Sequence, residues 1–394
     1  GNISGLSLSA NWMWPCKNKG EDARLYKAVE SVSEFAIDLG INIPTGKDSL
    51  SMNQKYKDKE VKSPGTVIIS ATGHCEDINK VIEPVFKKNY GSIYYLNLSQ
   101  DEYKLGGSSF SQITGNIGID TPTIKNSDFF KKTFNVIQDM IRKDHIVAGH
   151  DIGSGGLITS LLEMCFPSVN VSANINLSSL NENDTIKLLF SENCGVILQS
   201  NSNEVEKIFK NHSIKFYKIG EVNSGNRLNL INNDQELIFD IPKYRDIWFY
   251  TSTLLDKKQS ANNLAETRFN NYKNQPLNFK FPKKFSGEIS LIRKFIKPKA
   301  AVLREKGSNS ERELANALFM AGFNVKDIHM TDLISGRESL DDIQFLGAVG
   351  GFSNSDVLGS AKGWAGSFKY NEKAKNTLIN FFKRDDTLSI GICN

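Results

Sequence analysis

The strongest constraint on the fold of this chain is the order of patterns that follows residue 298. The run "KAAVLREKGSNSERELANALFMAGFNVKDIHM" reads as an apolar strand, a polar loop, an amphipathic helix ended by a glycine, and a second strand. Two more strand-like runs, "FLGAVGGF" and "TLSIGICN", follow it. Strands that alternate with helices predict a parallel sheet, with the functional loops at the carboxyl ends of the strands.

The earlier part of the chain mixes helical and strand patterns. Apolar residues at three-and-four spacing predict a helix over residues 21–40, and a second helix is predicted over "DFFKKTFNVIQDMIRKDHIV". We expect a short strand and then a polar turn at "INIPTGKDSLSM". Further strands are predicted at "GTVIISATGHCED", "GSIYYLNLSQ", "CGVILQS", "KFYKIGEV" and "NRLNLI". Residues 256–297 are rich in Asn, Lys and Pro, which predicts a connector on the surface.

Composition limits the classes of function. A length of 394 residues predicts two or three domains. No apolar run approaches the roughly 20 residues of a membrane span, and the net charge of +4 is not gathered in a basic stripe. We therefore expect neither a membrane nor a nucleic-acid partner. The five widely spaced cysteines do not form a disulfide or zinc pattern and are typical of a cytoplasmic protein.

The first candidate for chemistry is Cys393 in the closing "SIGICN". A strand that leads into Gly-x-Cys is typical of a nucleophile elbow, in which a tight turn exposes the thiol beside a helix N-terminus. Gly350 and Gly351 follow another strand, where backbone N–H groups can approach an oxyanion. The alternative is that Cys393 is an ordinary buried cysteine and the glycine pair a simple turn.

The second candidate is "GHDIGSGGL", in which Asp151 precedes a glycine-rich turn and a helix. A carboxylate there suits Mg²⁺, and the N–H groups of the turn suit a phosphate. The alternative is a solvated aspartate in a loop that begins a helix.

Two weaker candidates lie nearer the start of the chain. In "PTGKDSLSM", Lys47 and Asp48 with the neighbouring serines are candidates for contact with phosphate or nucleotide, or are simply solvated. Trp12 and Trp14 precede the first helix, where aromatic residues belong to a core or an interface more often than to a ligand site.

Six stretches resemble one enzyme family in the same order. The chain is similar to the later part of the large, single-chain phosphoribosylformylglycinamidine synthases of purine biosynthesis. The stretches are "LSANWMWPCKNKGEDARLYKAV", "IPTGKDSLSM", "GHDIGSGGLITSLLEM", "AVLREKGSNSERELANALFMAGF", "GGFSNSDVLGSAKGWA" and "LSIGICN".

This resemblance implies a fold of the α/β and α+β classes. It comprises N-type and C-type domains like those of aminoimidazole ribonucleotide synthetase, followed by the beginning of a Rossmann-like class I glutamine amidotransferase domain. The implied boundaries are residues 1–85, 86–255 and 298–394, with 256–297 as connector. The chain lacks an initiator methionine and ends beside Cys393. We therefore expect a fragment, with N-terminal and C-terminal parts of the same enzyme missing.

The resemblance also implies a reaction and roles. ATP with Mg²⁺ would activate formylglycinamide ribonucleotide, and glutamine would supply ammonia. Cys393 would be the nucleophile that forms a thioester, with the N–H groups of Gly351 and Asn394 binding the oxyanion. Because the family's histidine and glutamate partners lie later in sequence, we expect the fragment to be inactive alone.

For the nucleotide site, the resemblance implies that Asp151 is a Mg²⁺ ligand whose partner ligands lie upstream. Gly153 would contact the nucleotide, although many members of the family carry serine there, and Lys47 and Asp48 would be neighbours. The bound nucleotide would be held without turnover. The competing interpretation is a non-catalytic nucleotide-binding scaffold.

Overall fold

The structure, a computed structural model, describes residues 1–88, 91–168, 170–274, 280, 283, 297–356 and 361–392. The chain divides into two compact units, residues 1–275 and 276–394. No helix in these described ranges is long and apolar enough to cross a membrane.

The strands are β1 Leu6–Met13, β2 Asn42–Ser49, β3 Asn53–Lys55, β4 Glu60–Lys62, β5 Thr66–Gly73, β6 Ser92–Asn97, β7 Ala148–Asp151, β8 Ser172–Asn176, β9 Gly195–Ser200, β10 Tyr217–Asn223, β11 Arg227–Asn232, β12 Gln235–Asp240, β13 Lys299–Arg304, β14 Asn324–His329, β15 Phe345–Ala348 and β16 Leu388–Gly391. The α-helices are α1 Glu21–Leu39, α2 Ser109–Ile113, α3 Ser127–Arg142, α4 Gly156–Cys165, α5 Thr185–Phe190, α6 Val205–Asn211, α7 Ile241–Gln259, α8 Leu264–Asn271, α9 Glu311–Met320, α10 Met330–Ser335, α11 Lys362–Tyr370 and α12 Glu372–Phe382.

The first sheet of the first unit has three strands in the order β2-β1-β5. Strand β1 runs parallel to β2 and antiparallel to β5. Trp12 and Trp14 are buried in a small core with Ala10, against which apolar side chains of α1 pack. The two tryptophans are therefore core residues, as their type favoured.

The polar turn predicted around Gly46 is wrong, because β2 continues through this residue to Ser49. A Cβ atom at Gly46 would lie 2.0 Å from the carbonyl oxygen of Ala10, so the glycine allows β2 to approach β1 closely. Lys47 and Asp48 therefore lie within the strand and pair with β1.

The second sheet of the first unit has seven strands in the order β12-β11-β8-β10-β6-β9-β7. Both of its faces are buried. Ile93 and Tyr95 of β6 belong to the core that contains α4, whereas Tyr94 and Leu96 belong to the core that contains α3. A strand covered on both faces reads as a continuous apolar run, which explains why "SIYYLN" shows no alternation.

Two helices, α7 and α8, follow β12 along the chain. Helix α7 begins at an N-cap residue, Asp240, whose carboxylate accepts from the Lys243 N–H at 2.9 Å. Helix α8 follows it, and the rings of Phe249 and Tyr272 stack with centroids 3.9 Å apart. Helix α8 lies inside the segment that the sequence predicts as an irregular connector. The three boundaries between segments that were drawn from the sequence remain a prediction.

The second unit contains a four-stranded sheet in the order β14-β13-β15-β16. All three pairings are parallel, which confirms the predicted parallel sheet. Alternate residues of β13 enter two cores. Ala301 and Leu303 pack with α10, α11 and α12, and Ala300 and Val302 pack with α9. Helices therefore cover both faces, and the loops at the carboxyl edge remain open for function.

The close approach at Gly46 predicts a local effect on stability. We expect Gly46→Ala to lower the free energy of unfolding of the first unit by about 1–3 kcal/mol, because the added methyl group overpacks the contact with Ala10. Urea unfolding followed by tryptophan fluorescence measures this. The control is Gly5→Ala, since a Cβ at Gly5 meets nothing within 4 Å. Equal effects of the two variants would contradict the close-approach explanation.

Candidate functional site

Asp151 lies at the carboxyl end of β7, the last strand in the order of the seven-stranded sheet. It pairs with Val196 of β9 through its backbone. Its side chain is 83% exposed, so the carboxylate is accessible to a ligand. An accessible carboxylate at a strand end matches the preference of hard cations for oxygen ligands.

A glycine-rich turn carries the chain from Asp151 into α4. The N–H of Gly156 donates to the carbonyl oxygen of Gly153 at 3.1 Å and closes this turn. Gly155 and Gly156 have φ values of +89° and +73°, which residues with a Cβ rarely adopt. A Cβ at Gly156 would also lie 2.5 Å from the carbonyl oxygen of Leu189. Backbone conformation and packing both require glycine at this position.

Glu192 fixes the turn from outside. Its Oε1 atom accepts hydrogen bonds from the N–H groups of Gly155 and Ser109, each at 2.8 Å. Gly155 is the N-cap of α4 and has no side chain to cap the helix, so Glu192 supplies the acceptor and the negative charge. The carboxylate also ties the turn to the second glycine-rich loop, "KLGGSS", at residues 104–109. Glu192 lies in no local sequence pattern from which this role could be predicted.

Two N–H groups of the turn remain available. Within the described ranges, no carbonyl or side chain accepts a hydrogen bond from the N–H of Gly153 or of Ser154. These consecutive donors follow Asp151 by two and three positions. A Cβ at Gly153 would meet nothing within 4 Å, so the site has room for the serine of the family pattern, although this chain lacks the hydroxyl.

Asp151 is held in place by residues of β7 and α4. The Nδ1 atom of His150 lies 2.7 Å from the main-chain oxygen of Asp151 and 3.3 Å from its Oδ1 atom. The Nε2 atom of His150 lies 3.2 Å from Oε2 of Glu163. The hydroxyl of Ser160 donates to the main-chain oxygen of Asp151 at 2.9 Å. Ser160 and Glu163 are three positions apart and therefore share one face of α4.

Cys194 lies beside this carboxylate. Burial raises the pKa of the Cys194 thiol to about 11, and the negative charge of Asp151 adds to the rise. The thiol is therefore neutral near pH 7, which makes Cys194 a poor nucleophile.

The Asp151 carboxylate can supply one ligand of a metal site whose other ligands come from elsewhere. Among the described residues, no three His, Cys, Asp or Glu side chains converge as metal ligands. Mg²⁺ takes octahedral oxygen coordination, keeps several waters and typically uses one or two protein carboxylates. Asp151 therefore fits as one ligand, with waters, phosphate oxygens and other acids completing the shell.

Lys47 and Asp48 lie in another part of the first unit. They belong to β2 of the three-stranded sheet, whereas Asp151 ends a strand of the seven-stranded sheet. The Nζ atom of Lys47 donates to the hydroxyl of Ser49 at 3.1 Å. Their assignment as nucleotide neighbours remains a prediction.

The other candidate site lies in the second unit, at the carboxyl edge of the parallel sheet. The N–H of Ile392 donates to the carbonyl oxygen of Ala348 at 2.9 Å, which brings the end of β16 beside the end of β15. The N–H of Asn309 donates to the carbonyl oxygen of Gly350 at 2.8 Å. In the described part of the chain, nothing accepts from the N–H of Gly351. Three loops therefore meet at this edge.

Cys393 and Asn394 lie outside the described residues. Two residues at the same edge were not predicted from the sequence. Glu305 directly follows β13, and His329 is the last residue of β14. The side chain of Glu305 is 9% exposed, and its Oε1 lies 3.8 Å from Nε2 of His329.

Comparison with known proteins identifies three family models along the chain. Residues 1–74 match a model described as FGAR-AT PurM_N-like domain. Residues 93–232 match the C-terminal domain of AIR synthase related protein. Residues 297–394 match a CobB/CobQ-like glutamine amidotransferase domain. The chain therefore combines an aminoimidazole ribonucleotide synthetase-like part with an amidotransferase part, as the sequence predicts.

Two curated relatives match the whole chain. A probable phosphoribosylformylglycinamidine synthase of Arabidopsis thaliana, named as chloroplastic/mitochondrial, is 36% identical over 403 residues, which cover 100% of this chain and 28% of the relative. A probable phosphoribosylformylglycinamidine synthase of Caenorhabditis elegans is 36% identical over 417 residues, covering 100% of this chain and 31% of the relative. The chain thus spans less than a third of the length of these relatives.

Solved structures are more distant. Thermotoga maritima PurL complexed with FGAR is 11% identical, with a TM-score of 0.46, and the match covers 62% of this chain and 40% of that chain. This likeness is too low to support an argument. The chain is similar along its whole length, at 36% identity, to a part of two proteins named as probable phosphoribosylformylglycinamidine synthases.

Proposed function

We propose that this chain contributes to the ATP-dependent conversion of formylglycinamide ribonucleotide and glutamine to formylglycinamidine ribonucleotide and glutamate. The observation that carries this proposal is the match of the entire chain, at 36% identity, to two proteins named as probable synthases of this kind. The order of the three family models supports it, because an amidotransferase domain that follows a synthetase-like part suits a glutamine-dependent ligase.

In the first unit, Asp151 holds Mg²⁺ at the phosphates of a nucleotide. When bound, the cation neutralises phosphate charge. The N–H groups of Gly153 and Ser154 donate to phosphate oxygens, as successive backbone N–H groups of a turn do in anion sites. Support comes from the 83% exposure of the Asp151 side chain and from the room beside Gly153. The nucleotide is bound without hydrolysis. Lys47 and Asp48 lie on the other sheet of this unit, and their assignment as neighbours of the nucleotide rests on the family resemblance alone.

In the second unit, Cys393 uses glutamine as the ammonia source. Its thiolate attacks the carboxamide carbon, a C–S bond forms, and the C–N bond breaks as ammonia leaves with an added proton. Water then hydrolyses the thioester to glutamate and regenerates the thiol. The N–H groups of Gly351 and Asn394 stabilise the oxyanion. Support comes from the N–H of Gly351, for which the described residues offer no acceptor, and from Ile392, which follows β16 and donates its N–H to the carbonyl oxygen of Ala348.

The proposal also covers the partners of the chain and its location in the cell. The substrates and the missing parts of the enzyme follow from the relatives, which are more than three times longer than this chain. A cytoplasmic location is the expectation from the sequence, whereas the name of the plant relative gives the chloroplast and the mitochondrion.

A non-catalytic scaffold is not favoured, because the two relatives that match the whole chain are named as synthases.

The nucleotide assignment predicts the effect of Asp151→Asn. We expect this change to weaken binding of MgADP to the full chain at least tenfold, because it removes a charged metal ligand, and calorimetry measures the affinity. The matched control is Asp144→Asn, since the Asp144 side chain is 71% exposed and pairs with Lys80. Equal MgADP affinity in wild type and Asp151→Asn would rule out the metal role.

The amidotransferase assignment predicts the effect of Cys393→Ala in the complete enzyme. We expect glutamine-dependent activity to fall by several orders of magnitude, because the nucleophile is lost, while activity with free ammonia changes less than about twofold. Cys75→Ala is the control, because Cys75 is an exposed free cysteine. Persistence of glutamate release in Cys393→Ala would show that another residue is the nucleophile.

A further inference from the structure

A continuous series of side-chain contacts joins Asp151 to helix α7. His150 contacts Asp151 through Nδ1 and Glu163 through Nε2, at 3.3 Å and 3.2 Å. The other carboxylate oxygen of Glu163 accepts from the indole N–H of Trp248 at 2.9 Å. Three elements, β7, α4 and α7, each supply at least one member of this series.

Glu163 has the central position. Its carboxylate uses one oxygen for His150 and the other for Trp248, so both contacts depend on one side chain. Its side chain is 28% exposed and that of His150 is 19% exposed, so the His150–Glu163 contact is largely shielded from solvent. Shielded charge-assisted contacts hold their geometry better than exposed ones.

Helix α7 is attached to the end of α4 by more than this hydrogen bond. A guanidinium N–H of Arg245 donates to the carbonyl oxygen of Phe166 at 3.2 Å. The rings of Phe166 and Trp248 have centroids 6.2 Å apart. Trp248 is therefore fixed against α4, and a change at Glu163 alters the immediate surroundings of its indole.

We propose that Glu163 is a positioning residue that orients the Asp151 carboxylate through His150, and that cation binding at Asp151 is transmitted through Glu163 to Trp248 of α7. This inference depends on the proposed metal role of Asp151. It adds a positioning residue, and it identifies α7 as the helix that responds to occupancy of the site. In sequence, α7 and α8 are the last helices of the first unit.

The physical basis is competition for the Asp151 carboxylate. The Asp151 carboxylate would hold the cation through oxygen, and the charge of a cation there would weaken the attraction between this carboxylate and His150. The His150–Glu163 contact then changes, and with it the field of the Glu163 carboxylate at the indole N–H. Groups that orient a metal ligand typically change metal affinity 10–100-fold when they are removed.

The first experiment separates positioning from simple support of the fold. Mg²⁺ is titrated at constant ADP with the full chain, by calorimetry, for wild type and Glu163→Gln. Glutamine keeps the shape of the side chain and can still accept from Trp248. We expect the Mg²⁺ concentration for half-saturation to rise about tenfold while affinity for metal-free ADP stays unchanged. The control is Glu204→Gln, an acid on the surface that pairs with Lys207. Unchanged Mg²⁺ dependence in Glu163→Gln, or an equal loss of metal-free ADP binding, would overturn the positioning role.

The second experiment uses Trp248 as the reporter. We expect saturating Mg²⁺ with ADP to change tryptophan emission in wild type, and we expect this change to disappear in Trp248→Phe while the calorimetric affinity stays within about threefold. An emission change that persists in Trp248→Phe would overturn the transmission to α7. If MgADP binding depends on Asp151 and these results fail, the inference alone is wrong. If wild type does not bind MgADP, the metal role of Asp151 and the inference are both wrong.

Discussion

The candidate nucleotide site depends on one interaction, in which the carboxylate of Glu192 accepts two backbone N–H groups. Hydrogen bonds to charged groups contribute about 1.5–3 kcal/mol each, and these two join Ser109 and Gly155, which are far apart in sequence. The same carboxylate occupies the positive end of α4. An incoming anion therefore meets the N–H groups of Gly153 and Ser154 just before the helix, on the side of Asp151. Because Glu192 binds the N–H of Gly155, the N–H groups of Gly153 and Ser154 are the part of the turn that is open to a ligand.

Helix α4 holds its position firmly because nearly all of its residues are buried. Eight of its ten residues are buried, and the helix packs in the core on one face of the seven-stranded sheet. Its polar positions are few, and they serve the site: Ser160 and Glu163 contact the residues that end β7. Burial fixes the helix, and the fixed helix orients an exposed carboxylate. The second unit follows the same principle, because helices cover both faces of its parallel sheet and leave the carboxyl edge for chemistry.

Local patterns predicted the parts of this structure that local physics controls. The spacing of apolar residues located α1 and α3, and the glycine-rich turn placed Asp151 shortly before a helix. Strand β7, which ends at Asp151, was not predicted. The turn at Gly46 was predicted wrongly because glycine also serves close packing of strands, and nothing nearby in sequence distinguishes the two uses. Glu192 and Trp248 could not be predicted, since their partners are 37 to 85 positions away. The wider family resemblance located Cys393, which no periodicity could assign to catalysis.

The central claim is that the turn after Asp151 receives the phosphates of a nucleotide through two specific backbone groups. The most direct measurement is NMR of the full chain with ¹⁵N-labelled glycine and serine, with and without MgADP. The account predicts large shifts of the Gly153 and Ser154 amide signals, and a small shift for Gly155, whose N–H already donates to Glu192. Binding of MgADP with unchanged Gly153 and Ser154 signals would contradict it.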